Sequence, residues 1–201
     1  METINAIVEG LKKIEHGFKH IIEAGDAILC NAGLDHLSVA LELLQDDSYQ
    51  SRMLAAYLLG ELSTVLPEAL ETLGTVVARD SNWRVQEMLA KAFDSYCAKM
   101  GYETALPRIK LWLSDDNPNV RRAVIEGLRI WTGRPYFREN PKIAIDLISR
   151  HRGDENEYLR KSVGNALRDI SKKFPSLVRE EITSWDTTDR HVLYTLKLVQ
   201  K

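Results

Sequence analysis

The chain has 201 residues, of which 44% are hydrophobic and 28% are charged, and its formal net charge is −2. This length is enough for one domain with a substantial core, and the composition is that of a soluble globular protein. No apolar run of about 18 residues could span a bilayer, and the first residues lack the pattern of a signal peptide. Two cysteines in unrelated contexts form no disulfide framework or zinc site. We therefore expect a cytoplasmic protein without metal or cofactor.

The two halves of the chain carry opposite charges. Residues 1–100 hold 8 lysines and arginines against 15 aspartates and glutamates, a net charge of −7. Residues 101–201 hold 19 against 14, a net charge of +5. A basic half can form a face that binds a polyanion, although the same imbalance also occurs on solvated surfaces without any such partner.

The first predicted element is an amphipathic helix over residues 3–24. Its apolar side chains recur at helical spacing, from Ile4 to Ile22, and predict a helix that caps the rest of the fold. His16 and His20 are four residues apart in this stretch, a spacing that can hold a metal ion. No third ligand is evident, so we interpret the two histidines as a solvated pair.

A repeat begins after this helix. Four segments align without gaps: SRMLAAYLL from Ser51, VQEMLAKAF from Val85, VRRAVIEGL from Val120 and LRKSVGNAL from Leu159. An aspartate precedes each segment, and this aspartate or a polar neighbour can cap a helix: Asp47 or Ser48, Asp80 or Asn82, Asp116 or Asn117, and Asp154. The segments are 34, 35 and 39 residues apart, a period typical of solenoids built from helix pairs.

The repeat predicts an all-α protein, a single domain that forms a right-handed α-solenoid of HEAT-like helix pairs. Each aligned segment is the second helix of a pair, and no segment alternates as a strand would. Residues 133–140 read as the longest irregular connection. The predicted repeats cover about 34–62, 67–99, 104–132 and 141–174, and a final helix pair covers 175–199.

The register of the repeats places three charged residues in line. Glu87, Arg122 and Lys161 each occupy the position after the second residue of their segment. We expect them to form a row across adjacent repeats. Trp83 lies four residues before Glu87 and therefore on the same helix face. The alternative is that Trp83 packs against the preceding repeat and that Glu87 is an ordinary surface charge.

At these positions the sequence resembles the HEAT-repeat DNA alkylation repair family of the AlkC/AlkD type. The resemblance covers about residues 47–185. It is carried by DSNWRVQE at 80–87, by SDDNPNVRRAV at 114–124 and by YLRKSVGNALRDISKKFP at 158–175.

The resemblance implies a protein that binds duplex DNA in a basic concave cleft and excises N-alkylated purines. In AlkD-type relatives a tryptophan and, four residues later, a catalytic aspartate open a helix, and they correspond to Trp83 and Glu87. A backbone-binding arginine corresponds to Arg122, and a lysine of the following repeat to Lys161. This chain departs from the family by having glutamate at 87 and Asn165 where a second active-site tryptophan stands. It also has no clear counterpart of an N-terminal aromatic, glycine-containing segment.

We therefore expect a monomeric DNA-binding protein that acts as a glycosylase for cationic N-alkylated purines, with Glu87 catalytic and Trp83 stacking on the lesion. Two alternatives remain open: a DNA-binding relative without catalysis, and an adaptor that binds a peptide or protein in its groove. Neither involves a membrane. The residues expected to bind DNA are Arg121, Arg122, Lys161, Arg134, Arg138, Arg152 and Lys172.

Overall fold

The computed structural model describes residues 4–201, and all regular structure in this range is helical. The described residues up to Met100 pack as one compact unit, and Gly101–Lys201 pack as a second. None of the described helices is long and apolar enough to cross a membrane. The first unit contains α1 (Ile4–Leu11), α2 (Lys19–Leu29), α3 (His36–Leu43), α4 (Tyr49–Leu62), α5 (Pro67–Thr75), a short 3-10 helix (Val77–Arg79) and α6 (Trp83–Met100).

In the first unit α4 is the central helix. It packs against α2, α3, α5 and α6, and it has buried residues along its whole length. Gly60 allows α4 and α6 to approach closely, because a Cβ atom at this position would lie 2.6 Å from the Cβ of Ala92. Close packing of two helices over small residues explains why the repeated segments contain alanine and glycine.

The second unit is organised in the same way around α8 and α11. These two helices pack against each other, and α11 also packs against α12 and α13. The helices of the four predicted pairs are all present, with the final pair after them. The second unit contains α7 (Tyr102–Leu113), α8 (Pro118–Trp131), α9 (Pro135–Glu139), α10 (Pro141–Ser149), α11 (Glu157–Ser171), α12 (Pro175–Thr183) and α13 (Arg190–Val199).

The predicted helix over residues 3–24 is not continuous; residue 3 itself lies outside the described range. The structure has α1 and α2 with a break at residues 12–18, where Gly17 adopts φ = +99°, a left-handed conformation that favours glycine. His16 lies in the break and His20 in α2, so one continuous helix does not bring the two histidines together. Residues 4–201 contain no cluster of three or more histidine, cysteine, aspartate or glutamate side chains that could hold a metal ion.

Residues 133–140, predicted to be irregular, contain the short helix α9. Phe137 of α9 is fully buried and stacks on Trp131 with 5.9 Å between the ring centroids. Tyr102 packs edge-on against Phe137 at 5.7 Å. Burial of this aromatic cluster stabilises the short helix α9. The prediction of an irregular segment was wrong because the polar residues around Phe137 gave no helical pattern.

Helix capping follows the repeat, but in two repeats the aspartate that takes part lies one residue before the predicted one. The side chains of Ser48, Asn117 and Asn156 accept backbone N–H groups at the starts of α4, α8 and α11. An aspartate two residues before the cap accepts the N–H of the capping residue itself, as Asp80 does for Asn82 and Asp154 for Asn156. In the first and third repeats these aspartates are Asp46 and Asp115, one residue before those predicted.

The second position of the repeated segment has a structural role. Its four residues donate to backbone carbonyls that precede their own helix: Arg52, Gln86, Arg121 and Arg160. Within the first unit Arg52 also forms an ion pair with Asp80. Within the second unit Arg121 forms an ion pair with Asp154, with 3.0 Å between Nη2 and Oδ2. Arg52 and Arg121 therefore tie α4 and α8 to the loops that precede α6 and α11.

Candidate functional site

The start of α6 displays an aromatic ring. Asn82 caps the helix, its Oδ1 accepting the backbone N–H of Arg84 at 2.9 Å, and this cap sets Trp83 at the first helical position. Trp83 is 53% exposed. The ring is therefore not packed into the core, which argues against the interpretation of Trp83 as a packing residue.

Glu87 lies one turn after Trp83 on the same face of α6. It is half-buried, and its carboxylate forms no hydrogen bond or ion pair with any residue in the described range. Lys91 is one further turn along and has the usual spacing for a helical ion pair with Glu87. Instead its Nζ lies over the ring of Phe18, 5.0 Å from the centroid. The carboxylate of Glu87 thus remains without a cation partner beside an exposed indole.

Arg84 is a member of this site that the sequence reasoning missed. Its guanidinium carbon lies over the ring of Trp83 at 4.5 Å and over the ring of Tyr49 at 5.1 Å. Its Nη2 is 3.2 Å from Nδ1 of His16. The register contains a signal, because Tyr49 and Trp83 both directly follow the capping residue of a second helix and are 34 residues apart.

The segment between α1 and α2 packs against the start of α4, next to Arg84. The hydroxyl of Tyr49 donates to the backbone carbonyl of Glu15 at 2.9 Å. The Nε2 of Gln50 donates to the carbonyls of Lys12 and Ile14 at 3.4 and 3.3 Å. These bonds hold the 12–18 segment against the start of α4, and this places His16 beside Arg84.

In the second unit Arg122 occupies an unusual environment. It is only 9% exposed, and its guanidinium carbon lies 4.6 Å from the ring centroid of Tyr158 at the start of α11. Its Nε is buried without a hydrogen-bond partner, and no carboxylate of the described residues pairs with the guanidinium. A buried cation without a counter-charge is costly, so this position is suited to an anion supplied from outside the chain.

Lys161 lies one turn after Tyr158 on α11. Its Nζ is 2.9 Å from the carboxylate of Glu157, and the lysine side chain is half exposed. The hydrogen bond between them lowers the pKa of Glu157 and raises the pKa of Lys161. Asn165 follows one turn later and is half-buried. Glu87 belongs to the first unit and Arg122 and Lys161 to the second, so the predicted row of three residues remains a prediction.

The other residues predicted to bind DNA have different surroundings. Arg121 is committed to its ion pair with Asp154 and to the carbonyls of Asp115 and Asp116, so it serves the fold. Arg134 lies over the ring of Tyr102, Arg138 is exposed on α9, Arg152 lies over the ring of Trp185, and Lys172 pairs with Asp169.

Comparison with known proteins agrees with the repeat. A family model described as DNA alkylation repair enzyme matches residues 28–188. AlkD2 from Streptococcus mutans, known from a crystal structure, is 47% identical to this chain. The match covers 99% of this chain and 98% of that chain, with a TM-score of 0.92.

Two more distant relatives were also found. The uncharacterized protein YhaZ of Bacillus subtilis is 32% identical over 99 residues, which are 47% of this chain and 28% of YhaZ. The alkylpurine DNA glycosylase AlkC of Pseudomonas fluorescens, solved bound to DNA containing an abasic site analog, is 20% identical with a TM-score of 0.57. That match covers 96% of this chain and 54% of the glycosylase, and at this identity it shows the fold alone.

The predicted all-α fold class of HEAT-like helix pairs is thus confirmed, both by the helices themselves and by these structural relatives. The family model spans most of the sequence, including both the Trp83 and the Arg122 segments. The chain belongs to the DNA alkylation repair enzyme family.

Proposed function

We propose that this protein binds duplex DNA through the α8–α11 pair of the second unit, with Arg122 as its central phosphate contact. The observation that carries the proposal is that Arg122, a residue only 9% exposed, has a buried Nε without a hydrogen bond and a guanidinium without a carboxylate partner within residues 4–201. A guanidinium presents donors that match phosphate oxygens, and the ring of Tyr158 holds it in place. The net charge of +5 over residues 101–201 supports the same role.

The proposal predicts opposite effects of one substitution on protein stability and on DNA binding. Arg122→Met keeps much of the side-chain volume against Tyr158 but removes the charge, so we expect the free energy of unfolding to stay equal or rise. Binding of fluorescein-labelled duplex DNA, measured by anisotropy across a salt series, should weaken. The slope of log K against log salt should become shallower by about one phosphate contact.

Lys142→Met is the matched control, because it removes one positive charge from an exposed residue of α10 that already pairs with Asp146. Its effect on DNA binding should be much smaller than that of Arg122→Met. Equal effects of the two variants, or no binding of duplex DNA by the unmodified protein at low salt, would contradict the proposal. The second outcome would favour the adaptor that binds a peptide or protein.

We further propose that the Trp83–Glu87 face excises cationic N-alkylated purines. Such a base is already a good leaving group, so the reaction needs charge stabilisation at the sugar more than protonation of the base. A carboxylate near the sugar stabilises the developing oxocarbenium ion and orients the attacking water. The unpaired carboxylate of Glu87, one turn from the exposed indole of Trp83, is suited both to stabilise this ion and to orient the water. Release of methylated purine from alkylated DNA, measured by chromatography, tests this activity directly.

A DNA-binding relative without catalysis is the second candidate. It is favoured by Asn165, which stands where AlkD-type relatives have a second tryptophan, and by Arg84, which already covers part of Trp83. DNA binding without any release of methylated purine would select this candidate. In either case we propose a monomer, because one copy of the chain carries both faces. We propose a cytoplasmic location because the family acts on DNA.

A further inference from the structure

The backbone at Trp83 and the ring of Tyr49 are held by contacts that do not involve the Arg84 side chain. The backbone position of Trp83 is set by the Asn82 cap, and Tyr49 is anchored through its hydroxyl to the carbonyl of Glu15. The two residues open neighbouring helices, α4 and α6, which pack closely against each other. The Arg84 guanidinium lies over both rings, 5.1 Å from the centroid of Tyr49 and 4.5 Å from that of Trp83, so the two rings can flank one cation.

Arg84 itself is weakly held. It pairs with no carboxylate in the described part of the chain, and its one side-chain hydrogen bond is the contact with Nδ1 of His16. Cation–π contacts at partly exposed sites are worth only about 0.5–1 kcal/mol each. A flexible side chain held by such contacts can leave the rings when a better cation competes for them.

We propose that Tyr49 and Trp83 form a binding site for a flat organic cation, and that Arg84 occupies this site in the free protein and must leave before a ligand enters. The inference rests on the role proposed above for Trp83 and makes it more specific. The ligand class is a positively charged N-alkylated purine, whose planar ring matches the guanidinium in charge and flatness. Glu87, one turn from Trp83, adds a negative charge that favours a cation over a neutral base. Arg84 thereby sets the affinity of the site.

The test uses nucleosides, so that neither DNA binding nor base release is required. N1-methyladenosine is a cation at neutral pH, and adenosine is its neutral counterpart. Binding is followed through the indole N–H signal of Trp83 in the nitrogen-15 NMR spectrum, assigned with Trp83→Phe. Arg84→Gln should bind N1-methyladenosine about tenfold more tightly than the unmodified protein does, because the internal competitor is gone. Adenosine should bind more weakly than the methylated nucleoside to the same variant.

Three further variants test the residues that the proposal names. Arg108→Gln, which removes an exposed arginine from α7, should leave the affinity unchanged. Trp83→Leu and Tyr49→Leu, each combined with Arg84→Gln, should lose the gain in affinity. Both leucine variants keep an apolar side chain at the surface, so we expect them to remain folded. Circular dichroism checks this.

Equal affinity of the unmodified protein and Arg84→Gln for N1-methyladenosine would overturn the inference, as would equal affinity of Arg84→Gln for the charged and neutral nucleosides. These outcomes are independent of the Arg122 and base-release experiments. A protein that fails to bind or cleave DNA yet gains affinity in Arg84→Gln would retain the cation site and lose the proposed function. A protein that binds and cleaves DNA but shows no gain of affinity in Arg84→Gln would retain the proposed function, and Arg84 would then not control the site.

Discussion

The guanidinium of Arg121 donates to the carboxylate of Asp154 with 3.0 Å between Nη2 and Oδ2, and both side chains are about 15% exposed. Asp154 also accepts the backbone N–H of Asn156, the residue that caps α11. One carboxylate therefore joins α8 to the start of α11. The next residue in sequence, Arg122, has no such partner in the described range, so two adjacent arginines differ in whether a carboxylate neutralises them.

The first prediction concerns this ion pair. Asp154→Asn keeps the shape of the side chain but removes its charge, which leaves the part-buried Arg121 guanidinium without a counter-ion. We expect the free energy of unfolding, measured by urea denaturation, to fall by about 1–3 kcal/mol. Glu155→Gln is the control, since Glu155 is exposed, and it should change stability by no more than about 0.5 kcal/mol. A smaller loss of stability in Asp154→Asn than in Glu155→Gln would show that the Arg121–Asp154 ion pair does not stabilise the fold.

The second prediction concerns the contact between α4 and α6. A Cβ atom at Gly60 would lie 2.6 Å from the Cβ and 2.7 Å from the Cα of Ala92, so the two helices would have to separate. We expect Gly60→Ala to lower the free energy of unfolding by about 1–3 kcal/mol. Gly10→Ala makes the same chemical change in α1 where nothing lies within 4 Å, and it should raise stability by up to about 1 kcal/mol. An unchanged or higher stability of Gly60→Ala would show that α4 and α6 tolerate the extra atom.

The third prediction concerns pH. Burial, followed by the charge of Arg121, lowers the pKa of His151 below its ordinary value of 6.5. The unfolded chain then binds more protons than the folded chain just below that pH. Stability from this group is complete above pH 6.5 and is lost as pH falls towards the folded pKa.

Between about pH 5 and 6.5, where ordinary carboxylates remain ionised, the free energy of unfolding should fall with acidification by up to about 1.4 kcal/mol per pH unit. His151→Gln should flatten this slope while leaving the loss of stability below about pH 4 in place, since that loss comes from aspartates. An unchanged slope in His151→Gln would assign the dependence to another group. Urea denaturation at a series of pH values gives the slope directly.

The fourth prediction concerns the proposed chemistry. Glu87→Gln keeps the size of the side chain and removes the negative charge that would stabilise an oxocarbenium ion. Excision of methylated purine, measured in single-turnover assays, should slow by a factor on the order of 10² or more. DNA affinity should stay equal or rise, because a charge that repels phosphate is gone. Glu68→Gln on α5 removes an exposed carboxylate of the same unit and should leave the excision rate unchanged; unaltered excision in Glu87→Gln would mean that another residue is catalytic.

Local patterns in the sequence were sufficient to predict the helix pairs. Apolar spacing, capping residues and the repeat period all depend on residues within one or two turns of each other, and each favours the same helices. Where a long-range contact decides the conformation, the prediction was wrong. Residues 12–18 break the predicted N-terminal helix and bond to Tyr49 and Gln50, and α9 forms because Phe137 is buried against Trp131.

By itself the sequence determined the fold class, the family resemblance and the register that singled out Trp83, Glu87 and Arg122, since each follows from spacing along one chain. Only the tertiary structure decided which charges are available. It pairs Arg121 with Asp154, leaves Arg122 without a carboxylate in the described range, and places Arg84 over both Trp83 and Tyr49. Side chains of the same type at adjacent positions can lie in entirely different surroundings, because helical geometry turns neighbouring residues about 100° apart. The partner of each charge therefore depends on which helix packs against it.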